Sequence, residues 1–220
     1  MSTIIPGILE QSWEDIEKKI ELVLPFADTI HIDLLDGTFA ENTSYLDPQP
    51  FKKYTDEIAF ELHLMVDDPL SYVKPFAEAG FRRFLGHIEM MPNQTEFVAL
   101  AESYGEVGLV LDAQTPIHEL RVSLEDLDAL LIMTVKAGFS GQKFLESSLA
   151  KVSQLRKEHP FLTVEVDGGI NEHSLVQAYQ AGARRFVATS AVFGAENPEK
   201  AYQRLSEIFA REEEASVSFA

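Results

Sequence analysis

The sequence predicts an α/β fold closed into a single (β/α)8 barrel, and three observations predict it. Eight short runs of apolar and β-branched residues alternate with amphipathic stretches of about ten to fifteen residues. The 220 residues carry no Gly/Ser-rich or Pro-rich linker that would divide them, and a chain of this length suits one such barrel. Finally, Ala79-Gly80-Phe81-Arg82-Arg83-Phe84-Leu85-Gly86 is echoed by Ala181-Gly182-Ala183-Arg184-Arg185-Phe186-Val187-Ala188. The two copies lead into the fourth and eighth strands, half a barrel apart.

In order, the strands are expected at Thr3–Leu9, Thr29–Asp33, Ile58–Met65, Arg83–His87, Val107–Leu111, Ala129–Val135, Phe161–Asp167 and Arg185–Ala188. Most are near-continuous apolar runs, as parallel strands covered on both faces must be. After the first strand, Ser12-Trp13-Glu14-Asp15 resembles a capping box, and Trp13, Ile16, Ile20, Val23 and Leu24 follow on one helical face. Asp68-Pro69 and Asn197-Pro198 each place a capping side chain before a proline at the first helical position. Gly80 and Gly182 stand where helices should stop. The barrel is expected over residues 1–210, with a short acidic tail, Arg211-Glu212-Glu213-Glu214 and the small polar residues after it, over 211–220.

Eighteen Lys and Arg against thirty-six Asp and Glu give a net charge of −18, which repels nucleic acid and anionic membranes. The absence of cysteine excludes disulfides, a thiolate metal site and a cysteine nucleophile. Met1-Ser2-Thr3-Ile4-Ile5-Pro6 lacks the basic flank and long apolar run of a secretory signal, and no apolar run of about twenty residues occurs. The expectation is a cytoplasmic protein with a small-molecule partner.

Barrel chemistry sits at the carboxyl ends of the strands. His31-Ile32-Asp33 ends the second strand, so period-two alternation sends His31 and Asp33 to the mouth while Ile32 and Leu34 face the helices. His63 and Met65 share one face at the end of the third strand, and Asp167 ends the seventh, just before Gly168-Gly169. Two histidines and two carboxylates converging there form a nitrogen/oxygen metal site. Asp33 and Asp167, reaching in from different sides, could remove a proton from one face of a carbon and return it to the other. The plainer reading makes the histidines satisfied core residues and the aspartates caps. His87 reads as a satisfied strand-end residue, and His118, His159 and His173 as surface residues. Glycines recur in Gly138-Phe139-Ser140-Gly141 after the sixth strand, in Gly168-Gly169, and before Thr189-Ser190 comes the eighth strand; backbone N–H groups in such loops can hold a phosphate.

These residues resemble the ribulose-phosphate 3-epimerase family. The matching segments are Pro6-Gly7-Ile8-Leu9, His31-Ile32-Asp33-Leu34-Leu35-Asp36-Gly37, Glu61-Leu62-His63-Leu64-Met65, Met133 through Gln142, Val164 through Gly169, and Ser190-Ala191-Val192-Phe193-Gly194. The resemblance implies a TIM barrel of the ribulose-phosphate-binding type that inverts C3 of D-ribulose 5-phosphate to give D-xylulose 5-phosphate. It implies His31, Asp33, His63 and Asp167 as ligands of one divalent ion, zinc first and manganese, iron or cobalt as alternatives, with Asp33 and Asp167 as the acid/base pair. Met65 and Met133 match methionines lying against the reacting carbon. Gly138, Phe139, Ser140, Gly141, Gly168, Gly169, Thr189 and Ser190 match the phosphate site, and the family's dimers and hexamers imply a homo-oligomer.

Four departures bear on the substrate. Gly7 stands where the family has a substrate-contacting serine, and Leu35 where it has a methionine. Lys136-Ala137 replaces Asn-Pro, and Thr189 replaces a glycine. They leave a ketohexose 6-phosphate such as allulose 6-phosphate as the near alternative, and a non-catalytic sugar-phosphate-binding barrel as another. A Schiff-base role for Lys136 is disfavoured, because alternation from Met133 turns Val135 inward and Lys136 outward.

Overall fold

The computed structural model describes residues 3–217. Eight parallel strands close in sequence order into one barrel. The elements are β1 (Ile4–Ile8), α1 (Trp13–Val23), β2 (Thr29–Leu35), β3 (Ala59–Met65), α2 (Leu70–Glu78), β4 (Arg83–His87), α3 (Gln94–Glu102), β5 (Glu106–Leu111), β6 (Ala129–Met133), α4 (Leu149–Glu158), β7 (Val164–Asp167), α5 (Glu172–Ala181), β8 (Arg185–Ala188), α6 (Ser190–Phe193) and α7 (Pro198–Val217). Every residue of β1, β2, β4, β6 and β7 is buried. Ile32 and Leu34 pack in the shell between barrel and helices, as alternation predicts.

Two of the eight crossovers differ from the expected pattern. The links after β2 and β5 carry only 3-10 turns, at Gln49–Lys53, Ile117–Glu119 and Leu124–Asp126. Pro48, Pro50 and Pro116 break helical runs there. Aromatic packing replaces the missing helix after β2: the Phe51 ring lies 5.0 Å from Trp13, 5.5 Å from Phe60 and 5.2 Å from Phe81.

Strand and helix ends also moved. β6 stops at Met133 rather than Val135, because the Thr134 hydroxyl donates to the Asp167 and Gly168 carbonyls at 2.8 and 2.6 Å. β7 begins at Val164, since Leu162 N–H turns back to His159 O and leaves Phe161 99% exposed. Ser12 caps α1 through Asp15 N–H, and Asn197 Oδ1 accepts from Lys200 N–H at the start of α7. Asp68 caps nothing: Pro69 itself is the capping residue of α2, with no side-chain bond. Helix α7 continues through Val217, past the Arg211 where the acidic tail was expected. Bonds from α5 hold its last turns, Gln180 Nε2 donating to Glu212 and Tyr179 meeting the Ser216 hydroxyl at 3.0 Å. Residues 218–220 of that tail, like Met1 and Ser2, lie outside the described residues. Among the described residues no helix is long and apolar enough to cross a membrane.

The internal echo has a physical counterpart. Its first arginine caps the preceding helix from outside, Arg82 Nη1 donating to the Ala77 and Phe81 carbonyls and Arg184 Nη1 to those of Tyr179 and Ala183. Its second arginine turns into the barrel, where Arg83 and Arg185 both reach Glu106 Oε2, at 2.6 and 3.3 Å.

Candidate active site

Strand register places the predicted ligands side by side. His31 pairs with Gly7 on one flank and Glu61 on the other, and Asp33 pairs with His63. Asp33 Oδ1 accepts from His63 Nδ1 at 2.8 Å and from His31 Nε2 at 3.2 Å, and the two ring nitrogens stand 3.1 Å apart. Asp167 Oδ2 lies 3.8 Å from His63 Nδ1. One donor atom from each of His31, Asp33, His63 and Asp167 falls within 4.8 Å of the others.

This donor set fits a divalent cation. Ligand atoms about 2.0–2.2 Å from a common centre are themselves separated by roughly 3–3.5 Å, close to the spacings seen. His31 Nδ1 donates to Glu61 Oε1 at 2.6 Å, which leaves Nε2 aimed at the cluster and supplies the outer partner that metal-binding histidines use. Burial opposes charge on His31, yet its bonds to Asp33 and Glu61 raise its affinity for a proton well above that of an ordinary imidazole. Burial would likewise push Asp33 up, but the bonds from His31 and His63 hold it well below the usual carboxylate range. Asp167 goes the other way: burial and the nearby charge of Asp33 push it to about 6.

Asp33 and Asp167 open onto a cavity at the carboxyl ends of the strands. Met65 and Met133 line it, as do Gly138, Phe139, Ser140, Gly141, Gly168, Gly169, Thr189 and Ser190. Gly138, Gly141, Gly168 and Gly169 all have φ between +66° and +114°, a backbone conformation that side chains rarely allow. Asn42 Nδ2 ties the first of these loops down by donating to Gly138 O at 2.8 Å. Three predicted residues do not line the cavity: His31 and His63 are wholly buried beneath it, and Gly7 lies behind Thr189. Leu9, Val135, Gln142, Ile170 and Val187 line it without having been singled out. Lys136 is exposed, as alternation predicts.

Beneath the ligands lies a buried ionic layer that the sequence reading passed over. Glu61 and Glu165, each two residues before a predicted ligand, are fully buried. Burial disfavours charge on Glu61, but His31 and Arg83 hold its carboxyl down at about 2. Glu165 has His31 Nδ1 at 3.8 Å and Arg185 Nη1 at 3.9 Å, too far for hydrogen bonds; burial and the Glu61 charge push its carboxyl well above the usual range. His87 is only half satisfied. Its Nδ1 donates to Glu89 at 2.9 Å and its ring stacks on His63 at 4.9 Å, while Nε2 is buried without a hydrogen-bond partner.

An imidazole–carboxylate cluster facing an open cavity at the carboxyl ends of eight parallel strands is the layout of a (β/α)8-barrel enzyme. The chain belongs to the ribulose-phosphate 3-epimerase family, whose sequence pattern matches residues 3–193. It is 35% identical over 223 residues to the ribulose-phosphate 3-epimerase of Schizosaccharomyces pombe, covering 98% of this chain and 97% of that one. The Bacillus subtilis protein of the same name is 35% identical over 217 residues, covering 94% and 98%. Among solved structures the barrel is similar to 3-hexulose-6-phosphate synthase from Salmonella typhimurium, with a TM-score of 0.72 at 12% identity over 96% of this chain and all of that one. It also resembles orotidine 5'-phosphate decarboxylase from Pyrococcus horikoshii, with a TM-score of 0.69 at 13% identity over 94% and 99%. At such identities these two likenesses speak for the fold alone.

Proposed function

We propose that the chain is a metal-dependent 3-epimerase that interconverts D-ribulose 5-phosphate and D-xylulose 5-phosphate. The observation that carries this reading is the placement of Asp33 and Asp167: Asp33 lies near the carboxyl end of β2 and Asp167 ends β7, strands separated by β8 and β1, and both line one cavity. One carboxylate takes the C3 proton from its side, and the other returns a proton to the opposite face. The thioethers of Met65 and Met133 line the cavity without an acidic proton, so they cannot quench the enediolate from the wrong direction. The glycine loops hold the phosphate through backbone N–H groups, against the repulsion of a chain with net charge −18.

His31, Asp33, His63 and Asp167 would hold a divalent cation, zinc first and manganese, iron or cobalt otherwise, which when bound stabilises the negative charge that develops on substrate oxygens. Metal analysis of the purified protein is expected to find about one divalent ion per chain, and His63→Ala to lose it. Sugar-phosphate binding without metal would instead favour a non-catalytic barrel. The direct test is solvent deuterium entering C3 of D-ribulose 5-phosphate, with allulose 6-phosphate run in parallel. Faster exchange into the hexulose would reassign the substrate. No exchange with zinc, manganese, iron and cobalt each supplied would overturn the epimerase reading. A cytoplasmic homo-oligomer, a dimer or hexamer, completes the proposal, and light scattering of the purified chain measures its size.

A further inference from the structure

The segment that follows β2 reaches across the barrel mouth. β2 and β6 stand opposite each other, with three strands between them either way round, yet Asn42, beyond β2, touches Gly138, beyond β6. The feet of this strap are fixed. Asp36 accepts from Thr38 N–H at 2.8 Å and, through its other oxygen, from Asp67 N–H beyond β3 at 2.9 Å, and the Ser44 hydroxyl accepts from Leu35 N–H at 2.9 Å. Midway, the Phe39 ring lies 4.5 Å from the His87 ring, and Phe39 and Ala40 pack on the inner-barrel cluster that contains Leu85 and Val110.

Two contacts bring the strap against the glycine loop. Asn42 Nδ2 donates to Gly138 O at 2.8 Å, and a Cβ on Gly138 would stand 2.6 Å from Ala40 Cβ. The Asn42 amide is itself oriented, because its Oδ1 accepts from Thr43 N–H at 2.9 Å and leaves Nδ2 for Gly138. Among the described residues this is the one hydrogen bond that residues 138–141 make outside the 136–142 loop. The Gln142 amide closes that loop on itself, donating to Lys136 O and Phe139 O at 2.6 and 2.8 Å. The tip stands clear: Phe139 is 51% exposed, and a Cβ on Gly141 would meet nothing within 4 Å.

The Gly138 carbonyl and the Phe139 N–H belong to one planar trans peptide and point in opposite directions. Holding the carbonyl on Asn42 therefore keeps that N–H pointing away from the strap. Gly138, at φ +107°, has no side chain to stop this peptide from turning over. We propose that Asn42 is a positioning residue: by holding the Gly138 carbonyl it presents the backbone N–H of Phe139, a cavity-lining residue, to the phosphate of the ketose in one orientation. The inference rests on the phosphate reading above. Because the peptide is ordered before substrate arrives, the latch acts on phosphate affinity and not on proton transfer at C3.

The test compares Asn42→Ala, which removes the amide, with Asn42→Asp, which keeps an oxygen for Thr43 N–H but cannot donate. With D-ribulose 5-phosphate both are expected to raise KM about five- to tenfold, the effect of one hydrogen bond. Their kcat should stay within about twofold of wild type, the pattern of binding lost equally in ground and transition states. Competitive inhibition by inorganic phosphate should weaken by the same factor, and amide hydrogen exchange over residues 138–142 should quicken, with thermal unfolding confirming that each variant is folded. Unchanged KM and phosphate inhibition in Asn42→Ala would overturn the inference although the enzyme is an epimerase. Weakening confined to Asn42→Asp would trace the effect to the added charge and overturn it too, as would a fall in kcat at unchanged KM. If the wild-type chain does not turn over D-ribulose 5-phosphate, the substrate reading fails, and titration of inorganic phosphate into wild type and Asn42→Ala decides this inference separately. Weaker binding to the variant supports it, and equal binding or none overturns it.

Discussion

Replacing either Asp33 or Asp167 with asparagine should lower epimerisation by about 10²–10⁴-fold, the usual worth of a positioned acid or base. Asparagine keeps the shape and one oxygen but cannot take a proton. The more telling result is an asymmetry. If each aspartate serves one face of C3, a variant lacking one of them retains a base for the epimer whose proton points to the other. One variant should then exchange deuterium into C3 of D-ribulose 5-phosphate but not of D-xylulose 5-phosphate, and its counterpart should do the reverse, with net epimerisation lost in both. Metal content measured on the same preparations separates lost proton transfer from lost binding, since both residues belong to the proposed ligand set. Variants that keep epimerisation within tenfold of wild type, with metal bound, would rule out the two-aspartate mechanism.

The placement of the pair is legible in the sequence. His31, Asp33, His63 and Asp167 could be placed by period-two alternation, since each stands toward the carboxyl end of a strand that is buried almost throughout. The same rule points Glu61 and Glu165 inward, two residues earlier. Their meaning was hidden because their partners, Arg83 and Arg185, lie on other strands, and only the strand register brings them into contact. The two crossovers without α-helices show the opposite limit. An amphipathic stretch and a loop whose aromatic residues happen to pack have similar composition, and only the prolines distinguish them.

The largest stability effect is expected from Arg83→Met. The Arg83 side chain, 8% exposed, bonds through Nη1 to the fully buried Glu61 and through Nε to Glu106 at 2.6 Å. Removing one member of a buried ion pair leaves the other charge without compensation, at a cost of about 3–5 kcal/mol. The lower end is expected here, because Glu61 keeps the hydrogen bond from His31. For a chain of this size about 3 kcal/mol corresponds to a fall of roughly 6–12 °C in Tm. Glu61→Gln combined with Arg83→Met should cost less than Arg83→Met alone, since the uncompensated charge is gone. The pH dependence gives an independent sign. Glu61 is held at about 2 in the folded chain against about 4.3 unfolded, so its stabilisation is fully present above the unfolded value and is lost as pH falls toward 2. Without Arg83 that depression is smaller, so the variant's carboxyl is protonated first and the gap between wild type and variant should narrow as pH falls from 5 toward 2, the value at which the wild-type carboxyl also takes its proton. A gap under about 1 kcal/mol at neutral pH, or one that widens in acid, would show that this layer is not held together by the Arg83–Glu61 charge pair.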